Sequence, residues 1–445
     1  MTDPKNTPEL DQLLAANGLI LTTVTDERSA HDFAVFNATF NGLREGLTSD
    51  CLVHHFPDVC RDQFFMLRVA TTSEVVMSIC LIPWSLSFGA IHLRACMIEM
   101  VLTHPQYRRK GLVRAMIHLL QEQIVRQDFD ISMIWGIPFY YRQFGYTYSL
   151  DATSPTPIDI RTLPPGNPDP SSRYRLKPAS LDDIPDLMRC HDEMVLGYGL
   201  HAVRGPELWK FYLSHAGYPV QMMVEQDTNR IAGYCIATRN SSDEVRIIED
   251  GLDSDIVAEN LIAHYQQLGV SRLVFDWPWH SRLARIRLNV AGVPSVSNTK
   301  PVPGGNQWLI RIPDLARLTN RLAPVWQNRL SLSPYRDLTM DLKINLYQEA
   351  YVMHFRDGQL LAVDNIGFVD TSMGSSGGDL CIPRDAFVRL LLGYRALDEL
   401  TDAWPDIWCT PAKQDLVKVL FPRFPSYVNL PFSYLGPDYD LSRSV

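Results

Sequence analysis

Apolar residues fall with strand-like spacing over Leu19–Val24, Phe65–Ala70, Val75–Leu81 and Cys96–Thr103. A polar turn, Thr71–Glu74, separates the second run from the third, so those two read as a hairpin. An acid-flanked helical stretch begins at Arg28. Past Lys110 the period lengthens: Leu112, Met116, Leu119, Leu120 and Ile124 recur on one helical face, predicting a helix over Leu112–Gln127. The apolar strand Ile131–Trp135 follows. The same succession then recurs. Tyr174–Lys177 reads as a strand, and Ser180–Met194 as a helix with Ser180 as N-cap and Asp182 and Asp183 favourable in its first turn. Met222–Glu225 and Ile231–Ala237 form a second hairpin across Gln226–Asn229. Strand Val245–Glu249, helix Ile256–Leu268 and strand Arg272–Trp277 complete the repeat.

The remainder differs. Leu338–Leu346, Ala350–Arg356 and Gln359–Val363 read as short strands, the last two joined by the turn Asp357-Gly358. Pro383–Leu392 and Pro411–Phe421 read as helices. Two seams divide the chain. Asp151–Ser172 holds Pro155, Pro157, Pro164, Pro165, Pro168 and Pro170, which excludes helix and central strand and predicts an extended linker. Pro294–Asn306 is again rich in Pro, Gly, Ser and Asn. The predicted organisation is α+β, with units over 1–150, 173–298 and 299–445 and a linker over 151–172.

Composition narrows the function. Apolar types make up 46% and charged types 20% of 445 residues, ordinary for a globular chain. The formal charge of −9 argues against a general nucleic-acid binder and mildly favours a cationic partner. No apolar run is long enough for a membrane span, and the polar start MTDPKNTPELDQLL lacks a signal-like core, so the expected location is cytoplasmic, without membrane insertion. The cysteines are scattered without C-x-x-C, so reduced thiols are expected and neither a disulfide framework nor a metal cluster is.

The chemistry concentrates in Met97–Tyr146. Strand Met97–Thr103 feeds a short loop ending Arg108-Arg109-Lys110-Gly111, from which the amphipathic helix starts. The first amides of a helix have no intrahelical acceptor, and the dipole is positive there. Gly111 permits close backbone approach, and three cations stand beside it, so a pyrophosphate-bearing cofactor is the natural occupant. Arg108, Gly111 and Val113 resemble the acyl-CoA motif of the GNAT (Gcn5-related N-acetyltransferase) superfamily, Val113 standing where a small residue is usual. Tyr141-Arg142-Gln143-Phe144-Gly145-Tyr146 resembles that superfamily's Y-x-x-x-G-F/Y segment.

The layout of the whole chain resembles the Eis (enhanced intracellular survival) acetyltransferases: two tandem GNAT-like domains, the second degenerate, and a C-terminal domain like sterol carrier protein 2. The resemblance implies transfer of the acetyl group of acetyl-CoA to a primary amine by direct attack in a ternary complex. The amine would belong to a small cationic molecule such as an aminoglycoside or polyamine, or to a lysine side chain. It implies that Val101, Leu102 and Thr103 face the pantetheine arm and that Arg108, Arg109, Lys110, Gly111, Leu112, Val113 and Arg114 hold the pyrophosphate. Tyr141 would protonate the leaving thiolate, with the Val101 amide as donor to the developing oxyanion. Three bases stay open: the terminal carboxylate of Val445, as in that family; Glu99, on the face of Val101 by strand alternation; and His104. A homo-oligomer, hexameric by family resemblance, is also implied. No metal is expected. The rival reading is a non-catalytic protein that senses CoA or carries an apolar ligand in its third domain.

Other features have plainer readings. Asp250–Asp255 is acidic where the first unit is basic, so the second unit is expected to bind no CoA. His54-His55 reads as loop, Cys96 as core, and Gly374–Gly378 as a turn. Glu99 reads as a carboxylate satisfied by a backbone donor more readily than as a base. Trp277–His280 could line a groove or seal a domain contact.

Overall fold

The computed structural model describes residues 10–152, 155–162, 173–216, 219–277, 281–284, 307–370 and 377–429. The first unit opens with helix α1 (Leu10–Ala16) and strand β1 (Leu19–Thr23). Helix α2 (Glu27–Asn41) starts from a reciprocal cap between Asp26 and Ser29. It packs tightly on α3 (Leu43–His55), where a Cβ at Gly46 would lie 2.5 Å from that of Ala38. Strands β2 (Phe64–Val69), β3 (Val75–Phe88) and β4 (Ile91–Thr103) run antiparallel, and helix α4 (Leu112–Arg126) returns the chain to β5 (Ile131–Ile134), parallel to β4. That crossover buries Leu112, Met116, Ile117, Leu120 and Ile124 against one face of the sheet.

The sheet is completed from far along the chain. Its order is β1-β2-β3-β4-β5-β14-β6, with β6 (Thr147–Asp151) held on by β14 (Gln307–Arg311). The boundary expected near residue 299 therefore fails at this strand: Trp308, Leu309 and Ile310 are buried in the first unit's sheet. A short segment of the second unit, β9 (Leu200–Ala202), also adds to β3, and β20 (Ser426–Tyr427) pairs with β9. The units thus share a sheet, because each added strand satisfies backbone groups that an edge would leave open.

The second sheet runs β7-β13-β12-β11-β10-β8. Its strands β8 (Tyr174–Pro178), β10 (Val220–Glu225), β11 (Ile231–Arg239), β12 (Glu244–Leu252) and β13 (Arg272–Phe275) repeat the order of β1 to β5, including the parallel last pair. Helices α5 (Ile184–Val195), α6 (Pro206–Ser214) and α7 (Asp255–Gln267) accompany them. Strand β7 (Thr156–Asp159) corrects the linker expectation, since part of the Pro-rich seam is a strand. It lies at the sheet edge, where the donor missing at Pro157 is tolerated. Residues 163–172 lie outside the described ones. The third unit holds a five-stranded sheet with helices at Leu315–Arg321, Ala323–Ser331, Arg384–Leu391, Leu397–Ala403 and Gln414–Leu420. Among the described residues no helix is long and apolar enough to cross a membrane.

His54 and His55 end α3 rather than forming a loop; His54 faces Glu27, Asp50 and Arg61, and His55 stacks on His215. All eight cysteines are free, and Cys96 is fully buried. Trp277 packs on Tyr427 with ring centroids 4.9 Å apart, while Pro278–His280 and Gly374–Ser376 lie outside the described residues.

Candidate functional site

Strand β4 stops pairing with β5 at Ile98, opposite Ile134. Beyond that point the two strands diverge, so the β5-facing side of residues 99–103 has no strand partner. The cause is a bulge. Cys80 faces Glu99 and Ser78 faces Leu102, so Met100 and Val101 together stand opposite Ile79. Met100 carries φ of 54°, in the left-handed region, which bends the strand and breaks the alternation that would have placed Glu99 and Val101 on one face. The split opens a cleft of about 840 Å³. One wall is residues 98–103; the other is Trp135, Gly136 and Ile137.

At one end of the cleft stands the start of α4. Arg109 (φ 63°) and Gly111 (φ 81°) are both left-handed, which turns the loop into a concave backbone nest. Gly111 is the N-cap and supplies no side-chain acceptor, so the first amides of α4 are left for a ligand. Arg108, Arg109, Gly111, Leu112, Val113 and Arg114 all line the cleft. Arg108 is braced by its Nε donating to the Thr103 carbonyl at 3.3 Å, and Arg114 by donating to Gln143 Oε1 at 2.6 Å. Lys110 does not line the cleft, contrary to expectation: the left-handed turn at Arg109 sends its ammonium over the Tyr107 ring, 4.7 Å from the centroid.

Across the mouth, a single 3₁₀ turn, Tyr140–Phe144, presents Tyr141 to the same space. Gly136 fixes the ring's seat: a Cβ there would meet Tyr141 Cε2 at 2.6 Å. Burial, with the charge of Glu99 second, raises the Tyr141 phenol well above its ordinary range, so the hydroxyl stays protonated. A group in this state can donate a proton to a strongly basic leaving atom.

Glu99 is the unsatisfied group of the cleft. Its Oε1 is buried with no hydrogen-bond partner, which overturns the expectation that a backbone donor satisfies it. Burial, helped by the nearby Glu45 charge, pushes its carboxyl up to about 8. Glu45 and Asn41 also line the cleft, and sequence reasoning missed both. His104 is set apart: its Nδ1 accepts from the Gln106 amide at 3.2 Å, its ring packs on Phe40, and it does not line the cleft. Val445 lies outside the described residues.

The corresponding place in the second sheet is closed. β12 also carries a bulge and parts from β13 beyond Ile247, but the space there is only about 10 Å³. Tyr427, Trp277, Ser281 and Met194 fill it. Glu249 is locked by Arg204 at 2.5 and 2.6 Å, and by the hydroxyls of Tyr234 and Tyr427. Burial alone would raise its carboxyl; the Arg204 guanidinium overrides this and holds it at about 2. Ser254 caps α7 by accepting from the Val257 amide, and Asp253 and Asp255 pair with Arg230 and Arg282. The anion-binding features of α4 are thus absent from α7.

Residues 57–149 match the acetyltransferase (GNAT) domain family. No curated protein matches the chain. Among solved structures, the chain is similar to a GCN5-related N-acetyltransferase from Anabaena variabilis ATCC 29413, at 15% identity, TM-score 0.65, covering 92% of this chain and 99% of that one. A protein from Enterococcus faecalis V583 described as a probable N-acyltransferase is similar at 12% identity and TM-score 0.63, covering 92% and 97%. Eis1 from Mycobacterium abscessus is similar at 12% identity and TM-score 0.54, covering 92% and 98%. At these identities the likeness is one of fold, extending over nearly the whole chain. The domain match lies on the stretch that holds β2 to β5, the α4 nest and Tyr141, and it marks that part of the chain as a GNAT-type acetyltransferase domain.

Proposed function

We propose that the cleft transfers the acetyl group of acetyl-CoA to a primary amine within a ternary complex. The observation that carries this reading is the convergence, in one cleft of about 840 Å³, of an uncapped helix start, a freed strand edge, a protonated tyrosine and a carboxyl whose pKa is raised. The nest at Arg109–Gly111 and the guanidiniums of Arg108, Arg109 and Arg114 take the pyrophosphate. Residues 101–103 take the pantetheine arm along the open strand edge, with backbone amides in place of a lost neighbouring strand.

The acceptor enters protonated and gives one proton to a base; Glu99 fits that role in its ionised form, since a carboxylate whose acid titrates at about 8 is basic enough to take a proton from an ammonium. The amine lone pair then attacks the thioester carbon, and the new oxyanion is met by the Val101 amide. Collapse breaks the C–S bond; the departing thiolate takes its proton from Tyr141, and the nitrogen sheds its remaining extra proton to solvent to give the amide. The products are the amide and CoA, with Tyr141 and Glu99 restored by proton exchange with solvent. Val445 remains an alternative base by family resemblance.

The acceptor is a cationic amine, a small polyamine-like or aminoglycoside-like molecule or a lysine side chain, drawn by Glu45 at the cleft and by the net charge of −9. We further read the second unit as a degenerate GNAT-like copy, on its repeated strand order and closed split, and the third as like sterol carrier protein 2. Assembly as a homo-oligomer, hexameric on the Eis resemblance, belongs to the same reading. The test is free-thiol release from acetyl-CoA with a panel of amines. Amine-dependent thiol is expected; CoA binding without it would leave a sensor or carrier in place of a transferase.

A further inference from the structure

The bulge that opens the cleft is held from behind by groups that never reach it. Ser78 on β3 and Asn37 on α2 are both fully buried. Asn37 Nδ2 donates to the Phe33 carbonyl at 2.9 Å, which fixes the amide and turns Oδ1 toward Ser78. The Ser78 hydroxyl lies 3.1 Å from that Oδ1 and 3.0 Å from the Met100 carbonyl, its one proton shared between two acceptors. On the far side, the Ser49 hydroxyl of α3 stands 3.3 Å from Met100 Sδ while its one proton also meets the Glu45 carbonyl at 2.7 Å. A non-glycine residue at φ 54° inside a strand persists only where its surroundings over-determine it. Here the determinants are visible, and they are polar groups placed in an otherwise apolar layer.

We propose that Ser78, oriented by Asn37, is a positioning residue for acyl transfer. By pinning the Met100 carbonyl it fixes the peptide between Met100 and Val101, and with it the direction of the Val101 amide. The same hold keeps Glu99 facing the cleft. This inference rests on the acyl-transfer reading given above. Neither Ser78 nor Asn37 lines the cleft, and neither touches the α4 nest. Losing the hydroxyl therefore disturbs the reacting end of the site and leaves the pyrophosphate end alone. An oxyanion donor acts through its direction toward a charge that exists only in the transition state, so its misplacement falls on kcat.

The test compares wild type, Ser78→Ala and Ser78→Thr in the full chain. CoA binding is measured by calorimetry and turnover by amine-dependent thiol release at saturating acetyl-CoA. Ser78→Ala is expected to bind CoA within about threefold of wild type and to lose about 10- to 100-fold in kcat. Ser78→Thr keeps the hydroxyl and is expected to recover most of that loss. A folded Ser78→Ala with kcat within twofold of wild type overturns the inference, whatever its melting temperature. If Ser78→Ala does not fold, Asn37→Ser carries the test, with the same kcat loss expected and the same unchanged kcat refuting. Wild type that binds no CoA, or releases no thiol, would instead sink the acyl-transfer reading itself.

Discussion

Replacing Glu99 by glutamine removes one ionisation and little volume, so it isolates the charge in the cleft. The carboxyl is pushed from its ordinary 4.5 to about 8, first by burial and then by Glu45. Between those values the folded protein holds a proton that the unfolded chain has lost. Stability therefore falls as pH rises through the window, and the fall is complete above 8. At about 1.4 kcal/mol per tenfold change in proton activity, the wild type should lose up to ~3 kcal/mol relative to Glu99→Gln between pH 6 and pH 9. Water reaching an open cleft raises the effective dielectric, so about 1–2 kcal/mol is the expected reading. Denaturant titrations of both proteins at the two pH values give the difference directly. Turnover supplies a second reading: kcat should drop about 10²- to 10⁴-fold, the range for a lost general base. The acidic limb of the kcat/KM profile near pH 8 should vanish with it. A stability difference that does not change with pH, together with unaltered turnover, would refute the assignment of Glu99 and return the base to the terminal carboxylate.

Tyr141→Phe should keep acetyl-CoA binding within a few-fold and cut thiol release by about 10²-fold, because only the departing sulfur needs the hydroxyl; loss of binding in proportion would mean the ring merely packs. Gly136→Ala should produce a similar but smaller fall in kcat, since its Cβ would meet the Tyr141 ring at 2.6 Å and must displace it. Arg204→Met should destabilise the protein by about 3–5 kcal/mol near neutral pH, as it leaves Glu249 charged, buried and unpaired. Wild-type Glu249, held at about 2, contributes stability above 4.5 that is lost as pH falls toward 2. Denaturation curves should therefore converge on acidification, and a gap that persists at low pH would contradict the pairing.

Much of the first two sheets was legible because their strands and α4 are amphipathic over long runs, and a period survives sequence noise. The helix start was legible for a related reason: a strand, a glycine and a helix start are local features, so spacing alone put Gly111 at the head of α4. Helix α3 was not, because Gly42 and Gly46 lower the helix propensity of that stretch, whereas in the fold Gly46 lets α3 approach Ala38 of α2. With α3 went Glu45, the second acid of the cleft. Strand β14 was illegible for the opposite reason, since its partners Ser132–Ile134 lie far back along the chain and five residues carry no period. The seat of the Lys110 ammonium over the Tyr107 ring was illegible, because spacing does not show the left-handed turn at Arg109 that precedes it. The unsatisfied Glu99 Oε1 was illegible, because a sequence shows that a carboxylate is present and not which donors reach it.

The claim beneath the rest is that the start of α4 grips the diphosphate of an acyl-CoA. Calorimetric titration of acetyl-CoA into wild type and Arg109→Glu tests it most directly. Saturable binding to wild type, weakened at least tenfold in the variant, is the result this structure predicts. Equal affinity in both would remove the pyrophosphate from the α4 nest, and no heat from the wild type would contradict the cofactor site altogether.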